Sequence, residues 1–238
     1  DVDGNYSIAA GAAGATYTTT LVGRWFTTTN NSGATLTQST TADDGATWSP
    51  QFNTANTVEA ERAQVNAYIM ANKTRDMVVA ANPTFPTVAT QASTFQVNCN
   101  LAHTCNAYYT GNTINFYLAG GGCANTAFGD VVAHEFGHNV VAKGGSGQGA
   151  YGEGMGDIHG LLLSDIPATG VGFQSCAVGI RTAQNTCQFN ATTCSTGSTS
   201  YGATCGSEIH SCGQLISGCV WDLRNRFAVT YPTTYRTL

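Results

Sequence analysis

The stretch Phe128-Gly-Asp-Val-Val-Ala-His-Glu-Phe-Gly-His-Asn-Val-Val constrains this chain more than any other. Val131, Val132, Phe136, Val140 and Val141 recur at helical spacing, which predicts a largely buried helix. Within it stand His134, Glu135 and His138. Two histidines four apart share one helix face, so both imidazoles can reach one metal ion. Buried polar side chains are costly without partners, so the fold must supply some. Glu153 and Asp157 are the next acids along the chain, and their spacing of four puts both on one face of a second helix.

Zinc chemistry suits this set. His134 and His138 are assigned as neutral imidazole ligands and Glu153 as the oxygen ligand, because a catalytic zinc takes three protein ligands and keeps one position for water. Glu135 is suited to be the general base that takes a proton from that water. Asp157 is placed to accept the free ring N–H of a metal-binding histidine. An oxygen that gains charge during attack on a carbonyl needs a donor, and His210, in Ser-Glu-Ile-His-Ser-Cys-Gly, is assigned to that task. His103 and His159 are read as structural. The extended metzincin motif would need glycine at position 141 and histidine at position 144, where Val141 and Gly144 stand. A two-histidine helix followed by a glutamate on a separate helix is the gluzincin order.

The length of 238 residues accommodates one large domain or two lobes around a cleft. Only 10% of residues are charged and the net charge is -5, so there is no basic stripe for nucleic acid. No apolar run approaches the roughly 20 residues that span a bilayer. Nine cysteines, mostly outside Cys-x-x-Cys pairs, point to disulfides and an oxidising compartment. Cys99 and Cys105 bracket a short loop and are expected to bridge. Cys176, Cys187, Cys194, Cys205 and Cys212 crowd a Thr/Ser/Gly-rich stretch whose pairing is open. Cys212 and Cys219, if on one helix, lie about 10 Å apart and cannot bridge each other. A chain that starts at Asp1 with no visible leader is expected to be a mature, secreted fragment.

Turn signals at Asp3-Gly4 and Asp44-Gly45 and a strand from Tyr17 to Phe26 make residues 1–55 a β-rich N-terminal segment. A helix is predicted over 57–81, ending before Asn82-Pro83. Strands follow at Thr94–Val97, Asn106–Tyr109 and Thr113–Leu118, the last two joined by a turn at Thr110-Gly111-Asn112. Residues 56–142 then form an N-terminal catalytic lobe ending in the histidine helix. The glycine-rich run from Lys143 to Gly152 is expected to be irregular. Helices at about 153–164 and 208–227 give residues 143–238 a helical, cysteine-rich lobe. Strands precede helices, so the class is α+β with two lobes.

Several segments resemble the thermolysin-like gluzincin peptidases, and within them the fungalysin-type branch. They are Cys105-Asn-Ala-Tyr-Tyr with its hairpin, Asp130-Val-Val-Ala-His-Glu-Phe-Gly-His, Gly152-Glu-Gly-Met-Gly-Asp, Gly179-Ile-Arg, and Glu208-Ile-His followed by Gly213 and Val220-Trp221. The resemblance implies a two-lobe metallopeptidase with a β-rich first lobe, a mainly helical second lobe and one catalytic Zn2+ in the cleft between them. It implies His134, His138 and Glu153 as zinc ligands, Glu135 as base, Asp157 as orienting acid and His210 as oxyanion donor. It adds Arg181 as a contact to the substrate carbonyl. Asn106 and Ala107 would bind substrate through the backbone, as a peptide adds to a sheet edge. Adjacency places Glu208 to hold His210. The family's tyrosine before the third ligand has no safe counterpart, because Tyr151 stands only two residues before Glu153. Calcium sites of the family need acid clusters, and the few acids here lend Ca2+ no support.

The function expected is that of a secreted zinc endopeptidase acting on peptides and proteins. A zinc aminopeptidase and a non-catalytic, zinc-stabilised surface or adhesion module are the alternatives.

Overall fold

Phe26, Phe95 and Phe136 meet edge to face, with ring centroids 5.4 to 6.0 Å apart, and build the centre of the molecule. Each is 1% exposed. The computed structural model, which describes residues 7–8, 13–85, 95–174, 178–190, 193–195 and 201–235, shows what joins them. Strand β1 (Ala15–Thr20) pairs antiparallel with β3 (Thr37–Ala42) as a separate ribbon. Strand β2 (Phe26–Asn30) enters the main sheet, whose order is β2-β4-β6-β5 with β4 at Phe95–Leu101, β5 at Ala107–Thr110 and β6 at Thr113–Tyr117. Strands β2, β4 and β6 run parallel, while β5 folds back through Gly111-Asn112 to lie antiparallel at the sheet edge.

Helix α1 (Glu59–Ala81) buries the small side chains Ala63, Ala67 and Ala71 at a spacing of four, one stripe against the sheet. Helix α2 (Gly129–Lys143) buries Val132 and Phe136 in the same core, and Val131 and Val140 pack at its margin. Residues two apart on a helix are separated by about 200°, so seating Phe136 on the sheet turns His134 and His138 away from it. Helix α3 (Ala150–Ser164) crosses α2 on that side, and α4 (Ile209–Thr230) packs against α3. Strands β7 (Ala168–Thr169) and β8 (Arg181–Thr182) form a short ribbon beside them. Leu161, Ala183 and Trp221 make a second, smaller apolar cluster between α3, α4 and the chain after β8.

Helices α1, α2 and α4 and the β5–β6 hairpin fall where the sequence places them. The strand expected from Tyr17 to Phe26 is two strands in different sheets, because the chain bends between Leu21 and Trp25. Helix α3 begins at Ala150, inside the run expected to be irregular. Its glycines serve close packing: a Cβ on Gly154 would lie 2.7 Å from the Gly213 carbonyl oxygen of α4.

The cysteine pairing departs from expectation. Cys105 bridges Cys123, not Cys99. Cys99 lies on β4 with its thiol turned into the core toward the Ala63 carbonyl, whereas Cys105 faces the loop that ends at Cys123. The crowded cysteines form Cys187–Cys205 and Cys194–Cys212, and Cys219 is an exposed free thiol. Cys176, Asp3-Gly4 and Thr94 lie outside the described residues. Among the described residues, no helix is long and apolar enough to cross a membrane.

Candidate metal centre

Helices α2 and α3 cross closely enough for side chains of both to share one point. Around it His134 Nε2 lies 3.1 Å from His138 Nε2 and 3.2 Å from Glu153 Oε2, and His138 Nε2 lies 3.7 Å from that same oxygen. These three form a group able to hold a metal ion. The remaining ring nitrogens are occupied. His134 Nδ1 is 2.9 Å from Asp157 Oδ1, and His138 Nδ1 is 2.9 Å from Gln148 Oε1. When both histidines are neutral with their protons on Nδ1, the three facing atoms are all lone-pair donors, and a cation between them would satisfy all three. The donor set therefore fits a divalent metal of zinc type, for which nitrogen and oxygen ligands are usual.

Without a metal, a proton on His134 takes the place of the cation. Burial disfavours charge on His134, but Asp157 and Glu153 against its two nitrogens outweigh it and push its pKa up to about 10. Burial would raise Glu153, yet the hydrogen bonds from His134 and His138 hold its carboxyl well below the usual carboxylate range. Asp157 is likewise desolvated and still held low, by the charge and hydrogen bonds of Arg181. Arg181 donates Nε to Asp157 Oδ2 at 2.8 Å and Nη2 to Oδ1 at 2.7 Å, a bidentate buried pair. Its Nη1 donates to the Tyr201 hydroxyl at 2.9 Å. Glu135 follows the other rule: burial raises its pKa, against the opposing influence of His134 and His138.

A cleft of about 710 Å³ opens over this point. One wall is the edge strand β5 with Asn106 and Ala107 at its start, and Arg181, Tyr201 and His210 stand on the other side. His210 opens α4 and is held from two directions, with Nε2 3.1 Å from Glu153 Oε2 and Nδ1 2.7 Å from Glu208 Oε1. Glu208 also caps the helix, accepting from the backbone N–H of His210 and Ser211. His134, Glu135, His138, Glu153, Asn106, Ala107, Arg181 and His210 thus all border one cleft, with Asp157 and Glu208 directly behind. The Asn106 carbonyl accepts from Thr126 Oγ1 at 3.0 Å. His103 packs at a tilt against Tyr117 outside the cleft, and His159 is buried over Gly137 with Nδ1 at the Met155 carbonyl.

Two neighbours had no sequence signal. Gln148 sits in a glycine-rich loop and Tyr201 in the disulfide-laced segment, and neither spacing nor apolar periodicity marks them. Tyr201 sets its ring edge-on to His210 at 4.7 Å. Tyr151 is exposed on the first turn of α3.

No family model matches the chain, nor does any curated protein. Among solved structures it is similar to the precursor of protealysin, a metalloproteinase from Serratia proteamaculans, at 17% sequence identity and a TM-score of 0.45. The match covers 66% of this chain and 50% of that one, so the chain spans about half the length of that structure.

Proposed function

We propose that this chain is a zinc-dependent endopeptidase of the gluzincin type that acts outside the cell. The observation that carries the reading is the convergence of His134 Nε2, His138 Nε2 and Glu153 Oε2 within 3.7 Å, with the outer ring nitrogens already bonded. Zinc held there would acidify a neighbouring water and polarise a substrate carbonyl. Glu135 takes the proton of the attacking water and returns it to the departing amine, and its raised pKa suits both transfers. His210, with Glu208 behind its Nδ1, presents Nε2 to the cleft as the donor for the oxygen that gains charge. Asp157 keeps His134 in one tautomer, and Arg181 both anchors Asp157 and borders the path of the substrate carbonyl.

The substrate is an extended peptide that adds to the free edge of β5, with Asn106 and Ala107 as backbone contacts. The carboxylates among the described residues lining the cleft are Glu135 and Glu153, both assigned to the zinc chemistry. Among the described residues no further acid lines the cleft to capture a free amino terminus, which favours an endopeptidase over an aminopeptidase. This reading divides the chain into two lobes, the sheet with α1 and α2 in one and α3 with α4 in the other. Three disulfides support an extracellular setting. The Gly152-Glu-Gly-Met-Gly-Asp segment is the support for the fungalysin-type branch.

The test is zinc content together with cleavage of a long peptide blocked at both ends. One zinc per chain, chelator-sensitive internal cuts, and a Glu135→Gln variant that keeps zinc while losing about 100- to 10,000-fold in rate are the expected results. Zinc without turnover on any peptide would leave a metal-stabilised binding module, and cuts confined to the termini of unblocked peptides would leave an exopeptidase.

A further inference from the structure

Gln148 stands on the exposed loop between α2 and α3, yet its carboxamide turns inward onto His138. Its Nε2 donates to the His138 carbonyl oxygen at 3.1 Å, while its Oε1 lies 2.9 Å from Nδ1 of the same residue. The two contacts determine each other. A backbone carbonyl can only accept, so the NH2 group must face it, and the carboxamide oxygen, also only an acceptor, is left facing the ring. Nδ1 must then carry the proton. The lone pair remains on Nε2, the atom that meets His134 and Glu153. Room for the carboxamide comes from Gly152, where a Cβ would stand 2.5 Å from Gln148 Oε1 and 3.4 Å from His138 Nδ1.

We propose that Gln148 is a positioning residue of the metal centre: it locks His138 in the Nδ1–H tautomer, ties the ring to its own backbone, and is seated by the missing side chain of Gly152. The inference rests on His138 being a metal ligand, as proposed above. Asp157 performs the equivalent task for His134 from inside the fold, where Arg181 holds it. Gln148 performs it from a surface loop, so metal affinity at one ligand depends on the closure of that loop. Loss of the carboxamide frees the ring to rotate and to place its proton on Nε2, where it blocks the metal.

The experiment measures zinc affinity of the full chain by competition with a chromophoric chelator, and the melting temperature of the metal-free protein. Gln148→Ala and Gly152→Ala are expected to bind zinc about 10- to 100-fold more weakly than wild type. Gln148→Glu keeps an acceptor opposite Nδ1 but loses the donor to the His138 carbonyl, so it is expected to recover part of the loss. The metal-free melting temperature of Gln148→Ala stays at the wild-type value, because an exposed loop side chain carries little of the core. Wild-type affinity in Gln148→Ala, no recovery in Gln148→Glu, or a loss matched by equal destabilisation of the metal-free protein would each overturn the proposal. A wild-type chain that binds zinc but cuts no peptide overturns the proteolytic reading and leaves this one standing, whereas one that takes up no zinc overturns both.

Discussion

Gly156 lies against the ring of His134 so closely that a Cβ there would come within 2.8 Å of its Nδ1 and Cε1. The α2–α3 crossing is set by this contact and by Gly137, whose Cβ would stand 3.0 Å from the Gly156 Cα. Both imidazole nitrogens of His134 are bonded, so the ring has nowhere to retreat. Gly156→Ala should therefore push the helices apart. The expected cost is about 1–3 kcal/mol in chemical denaturation, with a weaker zinc site. A variant equal to wild type in both measurements would mean that the crossing tolerates a methyl group.

Asp157 and Arg181 form a buried bidentate pair, their side chains 2% and 3% exposed. Removing one partner strands the other charge in the interior, so Asp157→Ala or Arg181→Met alone should cost about 3–5 kcal/mol. The double variant should cost less than the sum of the two, which a double-mutant cycle in urea reads directly. Additive losses would show that the two side chains act on stability independently.

Replacing His210 by glutamine should lower kcat by about 100- to 1,000-fold with zinc content unchanged, as loss of one oxyanion donor does. The discriminating measurement is zinc stoichiometry. If metal is lost together with activity, His210 serves the metal centre through its contact with Glu153 rather than the reacting oxygen.

Asp130, on the first turn of α2, has its pKa raised by burial, against the opposing hydrogen bonds from the backbone N–H groups of Gly170 and Val131. The folded protein thus holds this proton to higher pH than the unfolded chain does. Stability from this group is present below the unfolded carboxyl pKa and is lost as pH rises through the folded value. Asp130→Asn removes that dependence. Its stability relative to wild type should therefore increase with pH across the interval, as measured by denaturation at a series of pH values from about 3 upward. A difference that stays constant with pH would place the Asp130 pKa at its ordinary value.

Much of the centre was legible because its two halves are local. His134 and His138 are one helix turn apart, as are Glu153 and Asp157, so helical periodicity alone puts each pair on one face. The apolar positions of the histidine helix also foretold its burial, and Phe136 is the residue that seats it on the sheet. Helix α3 was less legible at its start: glycine disfavours helix when judged by propensity, and here it is required because α3 must approach both α2 and α4 closely. The Cys99–Cys105 expectation failed for a related reason. Proximity along the chain says little about which way a side chain points, and Cys99 points into the core beneath α1.

By itself, then, the amino-acid order determined the helix face able to hold a metal, the acid that backs it and the succession of strands and helices, since each depends on residues within a turn or two of one another. Only the tertiary structure decided the rest. It brought Arg181 onto Asp157 across 24 residues and Gln148 onto His138 from a loop with no pattern of its own, and it set β5 at the sheet edge beside the cleft. These contacts depend on how closely helices cross and where loops close, and those follow from packing over the whole chain rather than from any local period.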